Sequence, residues 1–239
     1  MSALLEVRGL TAGYQGTQVV RDLDLDVAEG EIVALLGANG AGKTTSLLVI
    51  SGLLRPMRGD VTLLGRSLLG MRPDRIARSG LAHVPEDRSL FPGLTVREHL
   101  TLIKGRSSFT IDRVFEYFPE LRAIADRRAG LLSGGEQQML TIGRALTTGP
   151  KLLMVDEMSL GLAPVIVERL LPVLRSIATE AGVGILLVEQ HVELAPEFAD
   201  RGYVLSHGDV VLSGRAADLL ARDDVVVASY LGDDVVVAP

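Results

Sequence analysis

The segment Gly37-Ala38-Asn39-Gly40-Ala41-Gly42-Lys43-Thr44 decides the fold, because it joins an apolar run to a stretch of helical composition. The run Ile32–Leu36 has the length of a buried strand, and a helix is predicted from Lys43 to about Ile50. In this setting, two glycines separated by four residues and followed by lysine and threonine form the phosphate-binding loop pattern. The alternative, a chance glycine turn, does not account for the strand and helix on either side.

This loop predicts a phosphate site built largely from backbone groups. Glycines allow N–H groups to approach phosphate oxygens without Cβ clashes, and a helix N-terminus adds partial positive charge. We expect Lys43 to reach the β- and γ-phosphates and the Thr44 hydroxyl to ligate Mg²⁺, with Thr45 beside them.

Composition limits the class of protein. The 239 residues are 47% hydrophobic, with a mean hydropathy of +0.31, which indicates either a membrane span or a sheet buried on both faces. The longest apolar runs are far shorter than the roughly 18 residues of a spanning helix, so the buried sheet is favoured. Cysteine is absent, which excludes disulfides and thiolate metal sites. A net charge of −6 without a basic run argues against nucleic-acid binding, and no signal peptide is expected.

The hydrophobic pattern predicts one α/β unit with a helical insert. Residues 1–85 and 150–232 are expected to form the core, residues 86–149 a helical subdomain, and residues 233–239 a frayed tail. The core strands are predicted at 4–10, 19–27, 32–36, 61–64, 81–84, 152–155, 185–188, 203–205 and 210–212. Further helices are predicted at 164–180 and 215–230, and His207-Gly208-Asp209 is predicted to form a turn.

Two acidic residues follow the apolar run 152–155. The carboxyl end of a buried strand opens on the ligand crevice of an α/β sheet, where a metal-binding carboxylate is needed. We expect Asp156 to hold Mg²⁺ and Glu157 to polarise the attacking water. The alternative is a helix N-cap acid.

The segment Leu132-Ser133-Gly134-Gly135-Glu136-Gln137-Gln138 opens an apparent helix that runs through Ala145. Ser133 suits an N-cap with Glu136 as its capping-box partner. The Ser133 hydroxyl and the amides of Gly134 and Gly135 also form a second candidate anion site, and the two interpretations are compatible.

With these motifs in this order, almost the whole chain resembles the ABC ATPase family. The resemblance implies a P-loop NTPase core with an N-terminal antiparallel β subdomain and an inserted α-helical subdomain. It also implies that two such subunits sandwich two ATP molecules, with Ser133 and Gly135 touching the γ-phosphate held by the partner. Tyr14 stands where the family stacks an aromatic ring on adenine; the alternative is a partly buried strand tyrosine.

Finer motifs resemble the LivF-type ATP-binding subunit of branched-chain amino acid importers. They are the segments 84–88, 90–96 and 159–164 and the ending Ser229-Tyr230-Leu231-Gly232. This resemblance implies a second, homologous or identical ATPase subunit, two transmembrane permease subunits and an extracytoplasmic solute-binding protein. It implies a peripheral position on the cytoplasmic face of the cell membrane. Urea or short amides are alternative solutes.

The chain departs from the family pattern at three positions. Glu86 replaces the glutamine of the Q-loop, and we expect it to contact Mg²⁺ or its water shell. Met158 replaces the proline that usually follows the catalytic glutamate, so the turn loses a fixed φ. Counting back ten residues from the aspartate before the next strand places Gln190, not His191, at the γ-phosphate; His191 is the alternative.

Other functions are less consistent with the sequence. A GTPase needs an Asn-Lys-x-Asp motif, which is absent. A soluble ABC ATPase of DNA repair or translation usually has two cassettes or a long coiled-coil insertion, and a non-hydrolysing cassette would not need the Asp156-Glu157 pair. Phe91, Pro92 and Leu94 are expected on a surface that docks the membrane subunits, with local packing as the alternative.

Overall fold

The computed structural model describes residues 3–102, 109–190 and 198–219, and the chain folds around two β-sheets. The smaller sheet is antiparallel, and its strands pair in the order β2-β1-β4-β5. These strands are β1 (Ala3–Tyr14), β2 (Thr17–Ala28), β4 (Arg58–Leu63) and β5 (Arg66–Ser67). The predicted antiparallel pair at 4–10 and 19–27 is confirmed as β1 and β2, with Leu5 opposite Val27.

The larger sheet has six strands in the order β10-β9-β3-β8-β7-β6, all parallel except the β9–β10 pair. These strands are β3 (Ile32–Leu36), β6 (Leu81–Val84), β7 (Leu152–Asp156), β8 (Gly184–Glu189), β9 (Arg201–Ser206) and β10 (Asp209–Arg215). Every residue of β3, β7 and β8 is buried, which explains the high hydropathy without a membrane span. Among the described residues, no helix is long and apolar enough to cross a membrane.

Helices cover both faces of this sheet. They are α1 (Lys43–Ile50), α2 (Pro73–Arg78), α3 (Val96–Thr101), α4 (Ile111–Tyr117), α5 (Pro119–Ala123), α6 (Gly134–Leu146), α7 (Pro164–Ala181) and α8 (Ala216–Leu219). The regular elements described between residues 86 and 149 are α3 to α6 and one 3₁₀ turn, so the predicted helical character of this segment is confirmed. Of the predicted helix 215–230, only α8 lies among the described residues, and the tail 233–239 lies outside them.

Two hydrophobic cores lie on opposite faces of the parallel sheet. Along β8, Ile185 and Leu187 join the core that contains α6 and α7, whereas Leu186 and Val188 join the core beneath the antiparallel sheet. This alternation is the two-residue period of a strand. Because both faces are covered, the carboxyl ends of β3, β7 and β8 are left to line a site at one edge.

Candidate nucleotide site

The phosphate loop connects β3 to α1 through left-handed glycines. Gly37 has a φ of 153° and Gly42, the N-cap of α1, a φ of 109°. A Cβ on Gly37 would lie 2.3 Å from the Leu205 carbonyl oxygen, and one on Gly42 would lie 2.7 Å from Val20. Only glycine satisfies both the backbone angle and the space at these two positions. These glycines therefore allow the tight turn that leads from β3 into α1 beside the cavity.

Lys43, the first residue of α1, is almost completely buried with its ammonium group inside the site. Its Nζ donates to the carbonyl oxygens of Gly37, at 2.8 Å, and of Ala38, at 3.2 Å. It also lies 3.1 Å from Oε1 of Glu157, whose side chain is 9% exposed. The predicted loop cation and the predicted catalytic carboxylate thus form one ion pair.

Asp156 ends β7 as a carboxylate that is only 2% exposed. Its Oδ1 is buried without a hydrogen-bond partner. Burial raises the pKa of Asp156 to about 6, although the Thr44 hydroxyl lowers it; the charges of Glu157 and Glu86 raise it, and that of Lys43 lowers it. A buried carboxylate oxygen with no partner is a group that a cation would stabilise.

The residues present fit Mg²⁺ rather than a metal held by protein alone. Among the described residues, no cluster of three or more His, Asp or Glu side chains could hold an ion. Mg²⁺ commonly takes one or two protein oxygens and completes its shell with phosphate and water. The Thr44 hydroxyl and the orphaned Asp156 Oδ1 provide such a pair.

Glu157 adopts a left-handed backbone with a φ of 48°, which is unusual for a residue with a side chain. Such a conformation costs about 1–3 kcal/mol and persists only where surrounding contacts impose it. The Glu157 N–H donates to the Val188 carbonyl at 2.9 Å, and its carbonyl accepts from the Leu160 N–H at 3.1 Å. These bonds direct the carboxylate back to Lys43.

A cavity of about 190 Å³ brings half of the predicted site residues together. It is lined by Val19, Asn39, Gly40, Gly42, Lys43, Thr44, Thr45, Glu86, Glu157, Leu160 and Gln190. Val19 and Leu160 were not predicted, since nothing in their local sequence marks them. Ala41 is buried behind the loop and does not line the cavity. His191 lies outside the described residues.

Tyr14 and the segment Ser133 to Gly135 do not line this cavity. Tyr14 ends β1 and is 47% exposed. Ser133 caps α6 in the predicted capping box, accepting from the Glu136 N–H at 3.3 Å while Glu136 accepts from the Ser133 N–H at 2.7 Å. A Cβ on Gly135 would lie 2.8 Å from Ile166, so this glycine is also needed for packing.

A second, larger groove of about 1170 Å³ begins at Thr44, Glu86 and Asp156 and extends along α6. Phe91 lines it and is 56% exposed, whereas Pro92 and Leu94 do not line it. The groove therefore connects one of the three predicted docking residues to the end of the site formed by Thr44 and Asp156.

Arg88 is a wall residue of this groove that sequence reasoning missed. Its guanidinium donates to Gln138 at 3.0 Å, to Gln137 at 3.1 Å and to the Leu160 carbonyl at 3.4 Å. It therefore connects α6 with the turn after Glu157. No local pattern at residue 88 indicates these partners, which are 49 to 72 residues away.

Comparisons with known proteins agree on one family. The ABC transporter family model matches residues 20–159. The chain is 43% identical to the high-affinity branched-chain amino acid transport ATP-binding protein BraG of Pseudomonas aeruginosa, covering 92% of this chain and 95% of that protein. It is 36% identical to the probable branched-chain amino acid transport ATP-binding protein LivF of Archaeoglobus fulgidus, with the same coverage of each.

More distant relatives share the fold under other names. The chain is 32% identical to the lipopolysaccharide export system ATP-binding protein LptB of Acidithiobacillus ferridurans, over 98% of each protein. The solved structure of an ATP-binding subunit of an ABC transporter superimposes with a TM-score of 0.81 at 31% identity, covering 96% of this chain and 98% of that one. The predicted fold class and the predicted family are confirmed.

The Asp156→Asn variant tests whether the buried charge of Asp156 lowers the stability of the folded chain. The pKa of an unfolded aspartate is near 3.9, and the folded value is about 6. The folded chain therefore loses stability from this group as pH rises through 6. In metal-free buffer, the uncharged variant should match the wild type near pH 4 and exceed it by about 1–3 kcal/mol above pH 7.

Urea unfolding across this pH range measures the difference. Mg²⁺ with ATP should then stabilise the wild type more than Asp156→Asn. Equal stability of the two proteins at every pH would contradict the assignment of a strained, buried charge.

Proposed function

Since the chain belongs to the ABC transporter family as an ATP-hydrolysing subunit, we propose that it powers the import of branched-chain amino acids. The 43% identity to BraG over nearly the full length of both chains carries the choice of solute. The export-system relative is less similar, at 32% identity. Import of urea or short amides and a soluble, non-transport ABC ATPase are the alternatives.

The proposed nucleotide contacts follow from the loop geometry. Backbone amides from Gly37 to Thr45 bind the phosphates, and the phosphates replace the carbonyls of Gly37 and Ala38 as partners of the Lys43 ammonium. Thr44 and Asp156 hold Mg²⁺, with Glu86 at its water shell. Held by these residues, the ion would supply neutralisation of phosphate charge during attack by water.

Glu157 is proposed as the general base. Its left-handed backbone points the carboxylate into the cavity beside Lys43, where the γ-phosphate would lie. When the Lys43 ammonium pairs with the phosphate in place of Glu157, the Glu157 carboxylate becomes available to accept a proton from water. Gln190, at the cavity wall, is proposed to donate its amide hydrogen to a γ-phosphate oxygen.

The proposed working unit contains a second ATPase subunit of the same family. The segment Ser133 to Gly135 lies outside this chain's own cavity, which supports a contact with nucleotide held by the partner. Tyr14 is exposed enough to stack on adenine. We propose that residues 86–149 form a helical subdomain, and that this subdomain and the groove at Phe91 contact two permease subunits at the inner face of the membrane. A solute-binding protein is proposed on the outer side.

The proposed function is tested by reconstitution. The chain is co-expressed with candidate permease subunits and a second ATPase subunit, and the complex is placed in liposomes with a candidate solute-binding protein. Leucine, isoleucine or valine should stimulate ATP hydrolysis several-fold, whereas urea and acetamide should not. Stimulation by urea alone would transfer the proposal to the alternative solute, and failure to associate with any membrane subunit would favour the soluble ATPase.

Glu157→Gln should bind ATP with wild-type affinity but lose at least about 100-fold in kcat, because an amide preserves size and cannot accept the proton. Calorimetry gives the affinity and phosphate release gives the rate. Asp87→Asn, an exposed carboxylate one residue after Glu86, is the matched control and should keep wild-type turnover. Turnover in Glu157→Gln close to wild type would place the base elsewhere.

If Gln190 is the γ-phosphate sensor, the pH profile of hydrolysis should show no inflection from an imidazole group. Hydrolysis by the wild type should show no step near pH 6.5 attributable to a γ-phosphate sensor, whereas Gln190→His should introduce one. Gln190→Ala should lower kcat about tenfold, and His191→Ala should leave it nearly unchanged. The reverse pattern, with His191→Ala inactive and Gln190→Ala active, would make His191 the sensor.

A further inference from the structure

Glu189, the last residue of β8, is a buried carboxylate with no role in the site described so far. It is 1% exposed, and both of its oxygens accept hydrogen bonds from Ser159. The Ser159 N–H donates to Oε1 at 3.0 Å, and the Ser159 hydroxyl donates to Oε2 at 2.6 Å. Charge-assisted bonds of this kind are stronger than neutral ones, so the pair firmly fixes Ser159.

This pair holds the turn that follows the proposed base. Glu157 and Leu160 are the first and fourth residues of the turn, closed by the 3.1 Å bond between the Leu160 N–H and the Glu157 carbonyl. The end of β8 contacts the turn twice, through Val188 at Glu157 and through Glu189 at Ser159. The end of one strand, β8, thus holds Glu157 and Ser159, which are alternate residues of the turn.

The sequence of the turn explains why such bonds are needed. The second turn position is occupied by Met158, which does not fix φ as a proline would. Glu157 before it has the unfavourable φ of 48°. Met158 is 1% exposed, so packing restrains its side chain, but the backbone is restrained mainly by the bonds to Ser159 and Glu157.

The same contact reaches the proposed sensor. Gln190 directly follows Glu189, and a cavity of about 370 Å³ is lined by Glu157, Ser159 and Gln190 together. We propose that Glu189 is a positioning residue for ATP hydrolysis: through Ser159 it fixes the turn that aims Glu157 and keeps this turn in register with Gln190. This inference rests on the proposed role of Glu157 as the base.

Removal of the serine hydroxyl tests the proposal with little change in volume. In Ser159→Ala, kcat should fall about tenfold, because one hydrogen bond to a charged group is lost. The dissociation constant for ATP should stay within about twofold, since the phosphate loop is untouched. Ser159→Thr retains the hydroxyl and should retain activity. Ser79→Ala removes a half-buried hydroxyl bonded to Ile76 at 2.7 Å, far from the site in sequence, and should leave kcat unchanged.

Two further variants separate positioning from general stability. In the Met158→Pro background, where proline fixes the turn, Ser159→Ala should lose less than about twofold in kcat. Glu189→Gln has one acceptor oxygen instead of two, so the single variant should have a lower kcat than the wild type. When it is combined with Ser159→Ala, it should lower kcat little further. Thermal unfolding of each variant, measured by calorimetry, identifies any loss of kcat that results only from destabilisation of the fold.

The outcomes are distinct. Wild-type kcat in Ser159→Ala, or additive losses in the Ser159→Ala/Glu189→Gln pair, overturns the role of Glu189 and leaves the ATPase assignment intact. An undiminished loss in the Met158→Pro background overturns the claim that the pair acts on this turn. Turnover in Glu157→Gln contradicts the base assignment itself, and this inference fails with it.

Discussion

The parallel register of β3, β8 and β7 is the constraint on which the site depends. Leu36 lies beside Glu189, and Asp156 lies beside Val188, so the three strands end at nearly the same level. Parallel strands need crossover connections, and these place α1 and α7 on opposite faces of the sheet. As a result, the phosphate loop, the two acids after β7 and Gln190 emerge at one edge although they are far apart in the sequence. The burial of these strands on both faces holds this alignment, because every residue in them is enclosed by the two cores.

The electrostatics of this edge are unfavourable unless a ligand completes them. Asp156 is buried with an orphaned oxygen, and Glu157 and Glu86 add negative charge that raises its pKa further. Lys43 is the cation placed among them, and it already has Glu157 and two carbonyls as partners. In the proposed site, a metal–phosphate complex would supply a cation for Asp156 and anionic oxygens for Lys43 together. The unfavourable burial of these groups would then favour binding of a charged, metal-bearing nucleotide.

Local sequence patterns predicted the strands, the phosphate loop and the capping box at Ser133, because each depends on neighbours within a few residues. The Lys43–Glu157 ion pair and the Ser159–Glu189 contact could not be read in this way, since their partners are brought together by the sheet. The docking prediction shows the same limit: Phe91 reaches the groove, whereas Pro92 and Leu94 lie next to it in sequence but face elsewhere. The predicted adenine contact of Tyr14 and the contacts of Ser133 and Gly135 involve a nucleotide and a second subunit. They stay predictions, because a single chain does not contain the atoms they would touch.

Met158 stands where the family pattern has a proline, so hydrogen bonds and not a rigid ring restrain the turn. Proline restricts φ within its own ring and acts equally in the folded and unfolded chain. Met158 leaves its own φ unrestricted, and the turn is held by contacts that exist only in the fold: the Val188 carbonyl, the Leu160 N–H and the pair formed by Ser159 and Glu189. A restraint of this kind is coupled to whatever moves the end of β8. The position of the proposed base therefore depends on the end of β8, which the proposed γ-phosphate sensor, Gln190, directly follows.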